Sequence, residues 1–315
     1  MSRGWRPGVV LVQGVSMDQV EGAMHMVEGP VVVAADPFDP ESRTAELPRG
    51  GAPDPVIPGV VDPLVPAAGS GLRGWAGRVG AALVRDGLGL LPVMALAALP
   101  MHFFVGRLDD TVIAAPALFD LAGGFGLLLL PLMWVAYLTV SALPLVVCLA
   151  GAVGVVVPSA ADGVRPRPRE VWASVRDRLR ALWLWFAVVG LVTGGLALVT
   201  VPAVAAVAST GLMTLAGVFG CGLLIERGHG VRRSRHLLAR APLAGLLGCS
   251  ALAAVLPLVA DELVGGVAAT AVAVLAVQVW AVGALVTYAQ ARRREAPVTS
   301  GSLRAELKAP EEWLR

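Results

Sequence analysis

Of the chain's 315 residues, 15% are charged and 56% hydrophobic, with a mean hydropathy of +0.73. A water-soluble domain carries about a quarter charged residues, so water is not the main solvent of this polypeptide. The formal charge of +2 is unevenly spread, because residues 1–72 hold nine acids against four arginines and the remainder is basic.

Residues 1–72 are punctuated by acids and by Pro37, Pro40, Pro48, Pro53, Pro55, Pro58, Pro63 and Pro66. Such a segment buries too little apolar surface to offset chain entropy, and it reads as a disordered, acidic, Pro-rich cytoplasmic tail. A short helix around Met17 to Val27 fits within it. The tail serves either as a docking arm or as a solvated leader. Val9 to Val12 is too short for a signal-peptide core, so the first apolar helix is expected to direct insertion.

A bilayer core of about 30 Å needs about 20 helical residues. Runs of this kind lie at 88–106, 119–157, 182–201, 203–225, 242–260 and 263–289. The run 119–157 is long enough for one overlong pass or for two. Arginine accumulates on cytoplasmic ends, and this decides the matter. With one pass, Arg73, Arg78, Arg85, Arg165, Arg167, Arg169, Arg176, Arg178, Arg180, Arg227, Arg232, Arg233, Arg235, Arg240, Arg292, Arg293 and Arg294 share one side, against Arg107 on the other. Two passes would destroy that asymmetry. The expectation is therefore an all-α polytopic membrane protein, with six transmembrane helices over 73–292 and a short cytoplasmic tail over 293–315. Pro131 and Pro144 are its expected kinks and Val201-Pro202 a tight outer turn. Both termini are placed in the cytoplasm of a cell with a plasma (inner) membrane.

The six spans form three hairpins, each preceded by an amphipathic stretch: 73–86, 169–181 and 230–241. Trp75, Val79 and Leu83 recur at helical spacing in the first, and Trp172, Val175, Leu179 and Leu182 in the second. In the third the spacing is kept by Val231, Ser234, Leu238 and Ala241. Arginines lie between them, and Arg176, Arg178, Arg180, Arg232, Arg233 and Arg235 are candidate contacts for anionic lipids or a partner, although topology alone accounts for a basic collar. Trp172, Trp183 and Trp185 are placed where interfacial anchors belong. Small residues four apart, Gly190 with Gly194, Ala216 with Gly220, Gly217 with Cys221 and Ala244 with Gly248, suit close helix packing within the bundle. Cys148, Cys221 and Cys249 fall in apolar runs, where a thiol packs rather than pairs.

Ionisable groups at a bilayer centre mark ion paths or proton relays, and the six proposed span centres contain no Asp, Glu, Lys or Arg. Asp120, Glu226, Asp261 and Glu262 fall near ends, whereas His102 and Gln278 lie deeper. Gln278 either lines a cavity or bonds to Thr287 or Ser250. His229 and His236 sit among arginines that would repel a metal cation, so no metal is expected there. No phosphate-cradling, dinucleotide, nucleophile-elbow or metalloprotease motif is present, and no cofactor, catalytic residue or nucleic-acid partner is expected.

The segment Leu224-Ile225-Glu226-Arg227-Gly228, followed by Arg232-Arg233-Ser234-Arg235 and Leu237, resembles a pattern in six-helix bacterial membrane proteins similar to the membrane domain associated with glycerophosphodiester phosphodiesterases. Glu226, Gly228, Arg233, Ser234 and Leu237 carry the likeness. The catalytic domain of those phosphodiesterases has no counterpart here, so hydrolysis does not transfer. The resemblance implies a six-helix bundle. The expected role is a non-enzymatic scaffold or regulatory component of an envelope complex, with a membrane-protein partner or a second copy. The alternative is a permease-like bundle for an apolar or lipid-like solute.

Overall fold

The computed structural model describes residues 62–67, 69–102, 126–199, 201–226 and 231–308. The expected helix at Met17 to Val27 and residues Arg107, Asp120, Arg227, Gly228 and His229 lie outside the described residues. Within them the chain forms α1 (Gly71–Pro100), α2 (Gly126–Asp162), α3 (Pro168–Val199), α4 (Pro202–Ile225), α5 (Val231–Arg240), α6 (Leu243–Leu263), α7 (Gly266–Arg293) and α8 (Ser300–Lys308). Six of these, all but α5 and α8, are long and apolar enough to cross a membrane.

The long apolar run is one helix from Gly126 onward: α2 continues through Pro131, Pro144 and Pro158 to Asp162 and spans roughly 55 Å at 1.5 Å per residue. α3 and α4 are separated at Val201-Pro202, where Val201 is extended (ψ 138°) and Pro202 opens the next helix, as the steric demands of a proline require. The α6–α7 reversal uses Gly265 and Gly266 at φ 65° and 58°, a left-handed conformation that side chains resist.

Consecutive spans pack as three hairpins, α1 with α2, α3 with α4 and α6 with α7. α2 and α7 form the centre: α7 touches α1, α2, α4 and α6, and α2 touches α1, α3, α4 and α7. Inside a bilayer, association depends on close packing, and glycines provide it here. A Cβ on Gly217 would lie 2.9 Å from that of Ala284, and one on Gly220 2.6 Å from a methyl of Leu149. The pairs Ala216/Gly220 and Gly217/Cys221 are thus internal contacts. Ala244 and Gly248 are exposed instead, and their neighbour Gly245 is the buried one, pressed against the Trp75 indole.

The amphipathic stretches differ from expectation in continuity. The first two are not separate: α1 carries one buried stripe, Trp75, Val79, Ala82, Asp86, Leu90 and Ala97, through lead-in and span alike. In α3, Val175 and Leu182 are buried while Trp172 stays exposed. The third is a separate helix, α5, because Pro242 lacks an amide proton and disfavours helical geometry at Ala241.

Both presumed tails are partly folded. Leu64 and Val65 are fully buried, so order begins before residue 72, and 293–315 includes α8, whose Leu303 and Leu307 are buried. α8 packs on α2 and α4. Each tail is drawn in by a short apolar pair that composition averaged over a polar segment conceals.

Candidate functional site: the polar end of the bundle

The beginnings of α1 and α3, the ends of α2, α4 and α7, and all of α5 and α8 meet at one end of the bundle. Asp62 ties the two tails: its Oδ1 accepts the amides of Leu64 and Val65 at 2.8 Å, and its Oδ2 accepts the amide of Ser300 at 2.7 Å. The Ser300 hydroxyl donates to the carbonyl of Ala160, Arg293 donates to the carbonyl of Pro66 at 2.6 Å, and Arg304 pairs with Asp162.

Glu226, at the end of α4, is the hub of an alternating-charge network. Its Oε1 accepts from Tyr288 Oη at 2.7 Å and from Arg292 at 2.5 Å, and its Oε2 accepts from Arg233 Nε at 3.1 Å. Arg292 also forms a two-pronged pair with Glu306 of α8, at 2.9 and 3.2 Å. Arg233 reaches Glu295 at 2.6 Å, and Glu295 also receives His236 Nδ1 at 2.7 Å. Arg240 lies 3.6 Å from Glu295, and its carbonyl accepts from Arg294. Burial alone would lower the pKa of the Arg233 guanidinium, but the hydrogen bonds and charges of Glu226 and Glu295 outweigh it and hold the pKa above its ordinary value. The network joins four helices through charge-assisted bonds, the strong class of hydrogen bond.

The structure sorts the sequence candidates. Glu226 and Arg233 are in contact, Leu237 is fully buried beside them on α5, and Ser234 lies on the same helix. Arg232 also lies on α5. Arg176, Arg180 and Arg235 are exposed, Arg176 pairing with its neighbour Asp177, whereas the terminal nitrogens of Arg178 are buried. The three tryptophans divide as well: Trp183 and Trp185 pack against the core, and Trp185 donates to the carbonyl of Ala216 and stacks on Phe219. His102 contacts Thr270 at 3.2 Å at the opposite end.

Gln278 takes neither expected hydrogen bond. Thr287 accepts from Trp75 Nε1 at 2.9 Å and donates to the Gly283 carbonyl, while Ser250 accepts from Thr214 at 2.9 Å. The amide of Gln278 is buried without a hydrogen bond among the described residues. The fully buried Asp86 is the residue that inspection of spans overlooks. It accepts from Ser159 at 2.5 Å and from Arg85 at 2.7 Å. Its signal is its register, eleven residues beyond Trp75 on the same stripe.

No protein-family model, curated protein or solved structure matches this chain. The arrangement must be read from its own chemistry. Its acids are engaged by arginines, a tyrosine, a histidine, a serine hydroxyl and backbone amides, contacts that hold the helix ends together.

Next to the polar end, α1, α2 and α3 enclose a groove of about 410 Å³. Gly89, Val93, Gly151, Val155 and Val175 line it, Leu88, Leu96 and Trp172 form its exposed lip, and Arg165 stands at its mouth.

Proposed function

We propose that this protein is a multi-pass protein of the plasma membrane, with the polar end and both termini on the cytoplasmic face, acting as a non-enzymatic scaffold or regulatory component of an envelope complex. The network centred on Glu226 carries this reading. It fastens the ends of α4 and α7 to α5 and α8, and a span held at its end in this way suits a fixed platform better than a transport cycle that must separate helices. Arg176, Arg180 and Arg235 remain on its surface for anionic lipid head groups or an acidic partner. The resemblance to the membrane domain associated with glycerophosphodiester phosphodiesterases is compatible with this role.

Two experiments test it. A cysteine placed at the exposed Val164 should be labelled only from the cytoplasm, and one at the exposed Val201 only from outside; the reverse pattern refutes the orientation. Gentle extraction followed by native mass spectrometry should return a stoichiometric protein partner. Arg176→Glu combined with Arg180→Glu and Arg235→Glu should release it. A second reading, a permease-like bundle for an apolar or lipid-like solute, is favoured by the groove between α1, α2 and α3.

A further inference from the structure

The groove has the dimensions and chemistry of a site for one lipid. Along α1 it runs from Leu88 to Leu96 and along α3 from Pro168 to Leu179, about 12 and 16 Å at 1.5 Å per residue. One leaflet contributes about 15 Å of hydrocarbon, half of the bilayer core. The groove is therefore about as long as one leaflet's acyl chains, with its α3 wall on the amphipathic stretch that also carries Arg176. Its volume of about 410 Å³ falls within the range of about 300–1,000 Å³ common to small-molecule pockets.

The walls are aliphatic apart from Trp172 and Arg165. Close approach of the helices forms the inner side: a Cβ on Gly151 would come 2.3 Å from a methyl of Val93, and one on Gly89 3.2 Å from a methyl of Val155. The exposed Leu88, Leu96 and Trp172 give a lateral opening toward bilayer lipid. At the mouth, Arg165 donates to the carbonyl of Arg85 at 3.3 Å. That bond uses one of its five N–H donors and positions the guanidinium at the groove's entrance. Nearby Asp86 is buried against Arg85 and Ser159, so its charge is already answered. An occupant must thus be apolar along its length and anionic at one end.

We infer that this groove binds an anionic diacyl phospholipid of the leaflet at the polar end, one acyl chain lying between α1 and α3 over α2 and the phosphate resting on Arg165. The inference rests on the membrane-spanning reading alone and stands whether or not the scaffold has a protein partner.

Native mass spectrometry of the full chain in mild detergent tests it, with phosphatidylglycerol and phosphatidylcholine of matched chains added separately. The wild type should retain one phosphatidylglycerol at concentrations where phosphatidylcholine is lost. Arg165→Gln should weaken phosphatidylglycerol retention about fivefold and phosphatidylcholine retention less, because the choline ammonium already offsets its phosphate charge. Gly89→Leu, which puts a side chain into the groove, should weaken both; if it fails to fold, Leu96→Trp at the exposed far lip replaces it. Arg73→Gln, at the exposed start of α1 and away from the groove, should change neither. Equal retention of the two lipids by the wild type overturns the proposal. So does an Arg165→Gln effect no larger than that of Arg73→Gln, or a dimer without retained lipid.

Discussion

Gly245→Ala is a single-methyl change whose sign the structure decides. In an unobstructed helix, alanine is favoured over glycine by about 1 kcal/mol, so the substitution would stabilise α6. Here a Cβ on Gly245 would lie 2.6 to 2.7 Å from three ring atoms of Trp75. Relief to an ordinary contact near 3.4 Å moves the indole by about 0.8 Å, which disturbs the bond from its Nε1 to Thr287 Oγ1, now 2.9 Å. Overpacking costs about 1–3 kcal/mol and the weakened hydrogen bond about 1 more, so a net loss of about 1–3 kcal/mol is expected after the helix gain of about 1. The assay is unfolding in mixed micelles titrated with sodium dodecyl sulfate, applied to a double-mutant cycle. Trp75→Leu removes the obstruction, and on that background Gly245→Ala should turn neutral or stabilising. Trp75→Leu destabilises by itself, so the coupling energy is the quantity read. A stabilising Gly245→Ala in the wild type, or no coupling, would refute the packing argument.

Other perturbations probe the polar end. Glu226→Gln should lower stability in the same assay by about 2–4 kcal/mol, because it removes the charge between Arg233 and Arg292 and turns one of the two acceptor oxygens into an amide donor facing an arginine, while Glu295 and Glu306 remain. Arg233's pKa is raised in the folded state above its ordinary value, so its contribution is complete below that ordinary arginine range and is lost only as pH rises through the folded value. The difference between wild type and Arg233→Gln should accordingly be the same at pH 7 and pH 10. Leu303→Ala should cost about 2–5 kcal/mol and make the segment after Arg293 sensitive to limited proteolysis, since Leu303 is fully buried where α8 meets α2 and α4.

The spans were legible in the sequence because a bilayer imposes a length and a composition that few soluble helices meet. Val201-Pro202 likewise announced its own turn. What escaped depends on register or on distant partners. Asp86 lies just before an apolar run, so a search of span centres passes over it, although its position on the Trp75 stripe puts it inside. Leu64 and Val65 are hidden by the prolines around them. The small-residue pattern pointed to Ala244 and Gly248, whereas the contact belongs to Gly245, because the size of Trp75 selects the glycine opposite it. Of the network, the link from Glu226 to Arg233 was suggested by a local motif. Tyr288, Arg292 and Glu306 join from 62 residues or more downstream of Glu226, a separation without local periodicity.

The bond from Ser300 to Asp62 sets an order of events during synthesis. Residues 62–67 leave the ribosome before α1 and the spans that follow it, while the Ser300 amide that Asp62 accepts belongs to the last described helix. Leu303 and Leu307 follow later still. The surfaces of α2 and α4 that α8 covers therefore remain bare while α5, α6 and α7 are made and inserted, and the polar end can close only once residue 307 is free. Until then the nascent protein leaves an apolar cleft uncovered at its polar end, and a chain cut short at residue 293 would never close it.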